Sequence, residues 1–401
     1  MHLTHLSLTN FRAYSRLDMD IPRRNLLLVG DNAQGKTSLL EAVYYLATFT
    51  SFHASNDRQL VNFLAARDPL AVARLVADYQ RGPTRHRLEV RLIHEQNGMV
   101  GQSRLRKEIL LDGVKRTAQE ATGHFAAVIF LPHMTRIIED SPEERRRYLN
   151  LALSQAIPGY ASALQDYNQA LSQRNALLKI LAERGGDPGQ LVFWDEILAD
   201  KGAILLRHRI FAIQELERFA ARIHSRLTNQ QEVLQLVYQP AFDPLPQPEG
   251  QFALPLRTVV DRTGLSIEQI RKGFIERLGA LHGEEIQRGV TTIGPHRDEL
   301  RFLSNQIDLG DFGSRGQVRT GLLSLKLAEA QWMKDRTGQW PVMLLDEILA
   351  ELDDHRRGDL LGYLGECEQT MLTTTDLNLF SQSFVEHSTI WRVAQGVIES
   401  T

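Results

Sequence analysis

Eight residues near the start of the chain, Gly30-Asp31-Asn32-Ala33-Gln34-Gly35-Lys36-Thr37, have the spacing G-x-x-x-x-G-K-T. Each fixed type has a chemical reason. Glycines let backbone N–H groups wrap phosphates at a helix N-terminus, Lys36 neutralises the outer phosphates, and Thr37 offers a hydroxyl to Mg²⁺. Asp31, Asn32, Ala33, Gln34 and Ser38 complete that cradle. Far along the chain the apolar run Val342-Met343-Leu344-Leu345 closes on Asp346-Glu347. It reads as a fully buried strand, with Asp346 placed to hold Mg²⁺ and Glu347 to orient and deprotonate an attacking water. An Asp-Glu pair alone could merely cap a strand; beside a phosphate loop it reads as ATP chemistry, with Lys36, Asp346 and Glu347 as catalytic groups.

Between the two motifs stands Ser314-Arg315-Gly316-Gln317, and just beyond them Glu351-Leu352-Asp353. This is the order of parts in an ATPase of the ABC type, where nucleotide is sandwiched between two copies of the head. Ser314, Gly316 and Gln317 would then meet the γ-phosphate held by the other copy, Ser314 at a helix N-terminus with the positive end of the dipole behind it. Asp353 would couple the two sites. S-x-x-Q is equally a capping box for the helix that follows, and Glu351-Leu352-Asp353 an acidic helix start. Thr373-Thr374-Thr375-Asp376 ends the next strand where such ATPases carry a phosphate-sensing polar residue. His296 has no second ligand at metal spacing.

The elements that must position these groups are legible in outline. Alternation over Leu3-Thr4-His5-Leu6-Ser7-Leu8 and the run Asn25-Leu26-Leu27-Leu28-Val29 read as strands, the second leading through the glycine loop into a helix. From Val72 to Val114 the alternation continues, with Asp112-Gly113 as a hairpin turn, so an antiparallel sheet is expected beside the loop. Helical spacing follows from about Tyr160 to Glu183 and Val192 to Asn229, broken at Gly185-Gly186-Asp187-Pro188, which predicts a helical hairpin arm. Pro240, Pro244, Pro246, Pro248 and Pro255 mark a loop before one more helix, about Ser266 to Leu281. The expected fold is α/β: an ABC-type P-loop ATPase head with an antiparallel β subdomain, interrupted by a mostly α-helical lobe with a short arm. Its expected boundaries are 1–134 and 285–401 for the head and 135–284 for the lobe.

With 43% hydrophobic and 24% charged residues, the composition is that of a globular protein. No signal-peptide pattern opens the sequence and no apolar run is long enough to cross a membrane, so a cytoplasmic location is expected. The single Cys367 fits a reducing compartment. A net charge of −3 does not mark a nucleic-acid binder, so any DNA affinity must be local. Between Arg81 and Arg116, basic residues such as Arg104, Arg106 and Lys107 outnumber acidic ones. That strip reads either as a phosphate-tracking surface or as a solvated sheet face. Arg145-Arg146-Arg147 reads as ordinary helix surface.

Over nearly its whole length the chain resembles the RecF family, recombination-mediator ATPases related to SMC heads. The resemblance rests on Asn10-Phe11-Arg12, Gly30 to Ser38, Leu40-Glu41-Ala42, Ser141-Pro142 and Gln173-Arg174-Asn175. Gly294-Pro295-His296-Arg297-Asp298, Ser314 to Gln317, Asp346-Glu347 and Glu351 to Asp353 complete it. It implies an ATP-dependent homodimer that hydrolyses ATP slowly as a weak, DNA-stimulated ATPase. It further implies binding to double- and single-stranded DNA at gap junctions and help in loading RecA together with RecR and RecO. It places Arg12 near the nucleotide phosphates. Ala33 departs from a family glycine, a change tolerable at negative φ; His53 stands where arginine is common, and Glu139-Asp140 where a glycine precedes Ser141. An ABC transporter subunit would be shorter and dock on a membrane partner, a true SMC protein would need far longer heptad arms, and a DNA clamp would bind ATP with negligible turnover.

Overall fold

The computed structural model describes residues 1–96, 103–245 and 260–400. Pro246, Pro248 and Pro255 of the expected loop lie outside them. The chain forms two compact units, one of residues Met1–Met134 with Leu325–Thr401, the other Thr135–Ser324.

The first unit begins with a hairpin, β1 (His2–Phe11) and β2 (Tyr14–Asp20), followed by β3 (Asn25–Val29) and helix α1 (Lys36–Thr48). Four more strands follow: β4 (Leu70–Arg81), β5 (Thr84–Gln96), β6 (Ser103–Leu111) and β7 (Val114–Arg116). They join the first hairpin in one antiparallel sheet of order β2-β1-β4-β5-β6-β7. Its alternation is that of a half-buried sheet, with Leu88, Val90 and Leu92 in the core and Arg87 and Arg91 on the other face. Asp112 and Gly113 turn β6 into β7 with φ of 51° and 79°, the positive pair that a two-residue hairpin needs. β8 (Ala127–Phe130) is buried throughout.

In the second unit, α2 (Pro142–Ala156) starts with proline in its first turn, where the missing N–H costs nothing. The antiparallel pair α3 (Tyr160–Arg184) and α4 (Leu191–Leu227) reverses at Gly185 and Gly186, both at positive φ. At 1.5 Å per residue α4 is about 55 Å long. β9 (Leu234–Gln239) follows, a strand that the sequence pattern does not announce, then α5 (Ile267–Arg288), capped by a reciprocal Ser266–Gln269 box. β10 (Glu299–Ser304) pairs antiparallel with both β9 and β11 (Ile307–Asp308). This compact unit, which runs to Ser324, holds β10 together with its partner β9 and extends past the expected boundary at 284/285.

Buried ion pairs fix the helices of this unit. Arg174, fully buried, donates to Asp195, Glu285 and Thr291, and Asn175 accepts from the Thr291 N–H. Arg209 donates to Asp298 and the Pro295 carbonyl. Gly294, at φ 117°, has no room for a Cβ, which would lie 2.5 Å from the Tyr167 hydroxyl. Of Arg145-Arg146-Arg147, the first two are not ordinary surface: Arg145 makes a two-pronged pair with Glu299 and Arg146 donates to the Asp298 carbonyl.

Helix α6 (Arg315–Thr337) has its turns up to Ser324 in the second unit and those from Leu325 in the first. Beyond it come β12 (Val342–Asp346), α7 (Asp354–Leu364), β13 (Thr370–Thr374), β14 (Ser388–Ala394) and β15 (Val397–Ser400). They complete a second sheet of order β15-β14-β3-β13-β12-β8, parallel except at β15. β3 therefore sits between two strands from the far end of the sequence, and the loop it feeds opens at the carboxyl ends of the strands, where α/β sheets bind ligands.

Candidate nucleotide-binding site

The glycine loop is shaped by close backbone approach. The Gly30 N–H donates to the Thr374 carbonyl at 3.3 Å, and a Cβ on Gly30 would lie 2.2 Å from the Val393 carbonyl oxygen. Gly35 caps α1 at φ 110° under the Tyr14 hydroxyl, which donates to the Gly35 carbonyl at 3.1 Å. The Gln34 carboxamide oxygen accepts from the Gln395 N–H and the Gln34 carbonyl from the Gly396 N–H, so the β14–β15 turn clamps the loop from the other side. Ala33 has φ 63°, not the negative value that would make it an easy substitute for glycine, so its methyl group sits in a strained left-handed conformation.

Lys36 and Thr37 open α1 and face the end of β12. The Lys36 ammonium, 4% exposed, donates to the Gly30 and Asp31 carbonyls at 2.6 and 3.0 Å and lies 3.1 Å from a Glu347 carboxylate oxygen. The Thr37 hydroxyl is 3.0 Å from both Asp346 oxygens. A fifth group joins them from the polar run Thr373-Thr374-Thr375-Asp376, with a bond to the Asp346 carboxylate that the sequence does not announce. The buried Thr373 hydroxyl donates to Asp346 Oδ1 at 2.7 Å and accepts from the Glu347 N–H at 3.0 Å. Register makes that bond, since Asp346 pairs with Thr373 across β12 and β13. Glu347 sits at φ 50°, a strained position that turns its side chain toward Lys36. One hydroxyl and one carboxylate, both hard oxygen donors at the mouth of a phosphate loop, suit Mg²⁺ bound together with a triphosphate. Asp31, Asn32 and Ala33 are exposed at the tip of the loop, and Ser38 lies in the first turn of α1.

The other expected site residues have structural partners. Arg12 donates twice to the buried Glu41 carboxylate, at 2.8 and 2.9 Å, which holds α1 to the β1–β2 turn, and once to the Gln59 carbonyl. Ser51 also donates to Glu41, and the His53 ring lies against Phe52 and His133. Ser314 and Gln317 form the capping box: Ser314 Oγ accepts from the Gln317 N–H and Gln317 Oε1 from the Ser314 N–H. Gly316 is different, because a Cβ there would meet nothing closer than Ser314 Oγ at 4.0 Å. Asp353 is the N-cap of α7, bonded to the Arg356 N–H.

Five of the basic residues between Arg81 and Arg116 are in ion pairs, with carboxylates inside the strip or beyond it. Arg74 and Arg91 share Glu89, Arg87 meets Asp78, Arg106 and Lys115 share Glu108, and Lys107 meets Asp57. Hydrogen bonds from Arg74 and Arg91, working against burial, hold the Glu89 carboxyl down at about 2. Arg81 donates to the Gly123 and His124 carbonyls.

Residues 2–399 match the family described as RecF/RecN/SMC N terminal domain. DNA replication and repair protein RecF of Roseiflexus castenholzii is 38% identical over 407 residues, covering 99% of each chain. The chain belongs to the RecF family. RecF of Herpetosiphon aurantiacus is likewise 38% identical over 99% of both chains. The solved structure of the recombination mediator RecF with ATP, from the RecFOR pathway, superposes with a TM-score of 0.81 at 28% identity, covering 100% of this chain and 99% of that one. RecF membership fixes the fold as an ABC/SMC-type ATPase head with an inserted helical lobe, and the general role as DNA replication and repair. Among the described residues no helix is long and apolar enough to cross a membrane.

Proposed function

We propose that this chain is an ATP-switched recombination mediator acting in the cytoplasm. It closes on ATP into a homodimer, binds DNA at single-strand gaps, hydrolyses ATP slowly with stimulation by DNA, and helps load RecA with RecR and RecO. The observation that carries the ATP chemistry is the meeting of Lys36, Thr37, Asp346, Glu347 and Thr373 at one loop mouth. Lys36 would transfer its ammonium from the loop's own carbonyls to the outer phosphates, and the N–H groups of Gly30 to Ser38 would line the rest. Thr37 and Asp346 would hold Mg²⁺, which supplies charge neutralisation when bound. Glu347 would take the proton from the attacking water.

Gly316 supports the shared site. Among the described residues nothing excludes a side chain there, and glycine in an exposed helical turn costs about 1 kcal/mol relative to alanine. Close approach by an outside group accounts for that choice. The Ser314 hydroxyl points the same way: it already accepts from its capping partner, and among the described residues nothing accepts its proton. We assign Ser314, Gly316 and Gln317 to the γ-phosphate of a second copy and Asp353 to the contact between the two sites, with any phosphate contact of Arg12 made through its remaining donors.

The test is the size of the protein without nucleotide, with ADP and with ATP, each with and without duplex DNA. ATP alone should give the dimer. Ser314→Arg should keep nucleotide binding, remain monomeric and hydrolyse poorly, whereas loss of a cap alone would cost about 1 kcal/mol of stability and leave association intact. A Ser314→Arg dimer as abundant as the wild type would refute the shared site.

A further inference from the structure

The capping box at Ser314 has a second layer beneath it. Gln317 Oε1 accepts from the Ser314 N–H at 3.1 Å, and the other end of the same carboxamide, Nε2, donates to Glu232 Oε1 at 3.2 Å. An amide held at both ends by groups of opposite sense cannot flip without opposing donor to donor at Ser314. Glu232 is itself held. Its Oε2 accepts from the Ser304 hydroxyl at 2.7 Å and lies 3.3 Å from His224 Nε2. The other nitrogen of His224, which is fully buried on α4, lies 3.0 Å from Ser324 Oγ, and Ser324 donates to the Thr320 carbonyl. Burial works to raise the Glu232 carboxyl, but hydrogen bonds from Ser304, Gln317 and His224 outweigh it, so the group is ionised and accepts at both oxygens.

We propose that Glu232 is a positioning residue for the shared nucleotide site, acting through Gln317 to hold the Ser314 end of α6 open toward the phosphate of a second copy. The inference rests on the shared-site reading and deepens it. Without Glu232 the Gln317 carboxamide is free to turn. The Ser314 N–H then loses its acceptor and the turn that carries it is loosened, although the Ser314 hydroxyl still accepts from the Gln317 N–H and the helix itself, packed along Val318, Leu322 and Leu323, survives. His224 extends the same hold to α4, the long helix of the arm, so a load on that helix is felt at the phosphate-facing turn. Nothing in the sequence pattern marks Glu232; it follows the end of α4 in a stretch without periodicity.

The experiment is a double-mutant cycle on ATP-driven association, read by sedimentation of the full chain, with nucleotide binding titrated separately. Glu232→Ala should leave nucleotide binding intact and weaken association by about 10- to 100-fold, the range seen when groups that orient a ligand's direct contacts are removed. Glu232→Gln, which keeps an acceptor for Gln317 Nε2, should recover most of the loss. In a Gln317→Ala background, Glu232→Ala should cost nothing further, because the residue through which it acts is gone. Full association of Glu232→Ala overturns the proposal, as does an equal loss in both backgrounds or a loss in Glu232→Gln as large as in Glu232→Ala. A wild-type chain that stays monomeric with ATP overturns the shared-site reading itself, a result distinguishable from any of these.

Discussion

Thr373→Val replaces a buried hydroxyl by a methyl group of nearly the same size and removes two hydrogen bonds at once. Asp346 Oδ1 loses its 2.7 Å donor, and the Glu347 N–H loses its 3.0 Å acceptor. Orphaning such an N–H costs about 1–3 kcal/mol, while Asp346 keeps the Thr37 hydroxyl, so stability should fall by about 2 kcal/mol. The larger effect should be on turnover. Glu347 is held at φ 50° only by its surroundings, and releasing its N–H lets the carboxylate leave the position from which it reaches water. A loss of about 10- to 100-fold in kcat is expected, with nucleotide affinity in the absence of Mg²⁺ unchanged because Lys36 and the loop amides are untouched. Single-turnover hydrolysis and nucleotide titration with and without Mg²⁺ would measure both, and Thr373→Ser, which restores the hydroxyl, should rescue turnover. Wild-type turnover in Thr373→Val would refute the reasoning. Equal losses in the Val and Ser variants would show that packing, not hydrogen bonding, sets the site.

Ala33→Gly should raise the unfolding midpoint. The left-handed conformation costs alanine about 1–2 kcal/mol, more than the extra backbone freedom of glycine costs the folded state, and a lowered midpoint would contradict the strain argument. His296 accepts from the Tyr167 hydroxyl and donates to the Thr291 carbonyl, and burial lowers its pKa from 6.5 to about 4. Between those values the unfolded chain binds a proton that the folded chain does not. Stability should therefore fall as pH drops from about 6.5 toward 4, with no contribution from this group above that window. Urea unfolding across pH should show this slope diminished in His296→Gln; an unchanged slope would assign it elsewhere.

The phosphate loop, the strand ending at Asp346-Glu347 and the long helices were legible because each depends on local spacing. What escaped was long-range. β9 is an unremarkable stretch until β10, some sixty residues later, pairs with it. Thr373 acquires its position only through its register against Asp346. Counting charges between Arg81 and Arg116 leaves out Asp57 and Asp78, which pair with Lys107 and Arg87 from outside that stretch. Ala33 shows the opposite limit, since residue type cannot reveal the backbone angle that the loop imposes on it.

The interleaving of β3 and β8 with strands from the far end of the sequence has a consequence for biogenesis. Neither strand has a sheet partner until β12, β13 and β14 have been made. Synthesis of the roughly two hundred residues between β8 and β12 takes on the order of 10–40 s at 5–20 residues per second. Through that interval the antiparallel sheet can close and the helical lobe can pack as it emerges, while two apolar strands wait without neighbours. A nascent chain of this architecture is thus most exposed to aggregation late in translation, and a ribosome stalled before β12 would leave a folded lobe attached to a head that has no means of holding nucleotide.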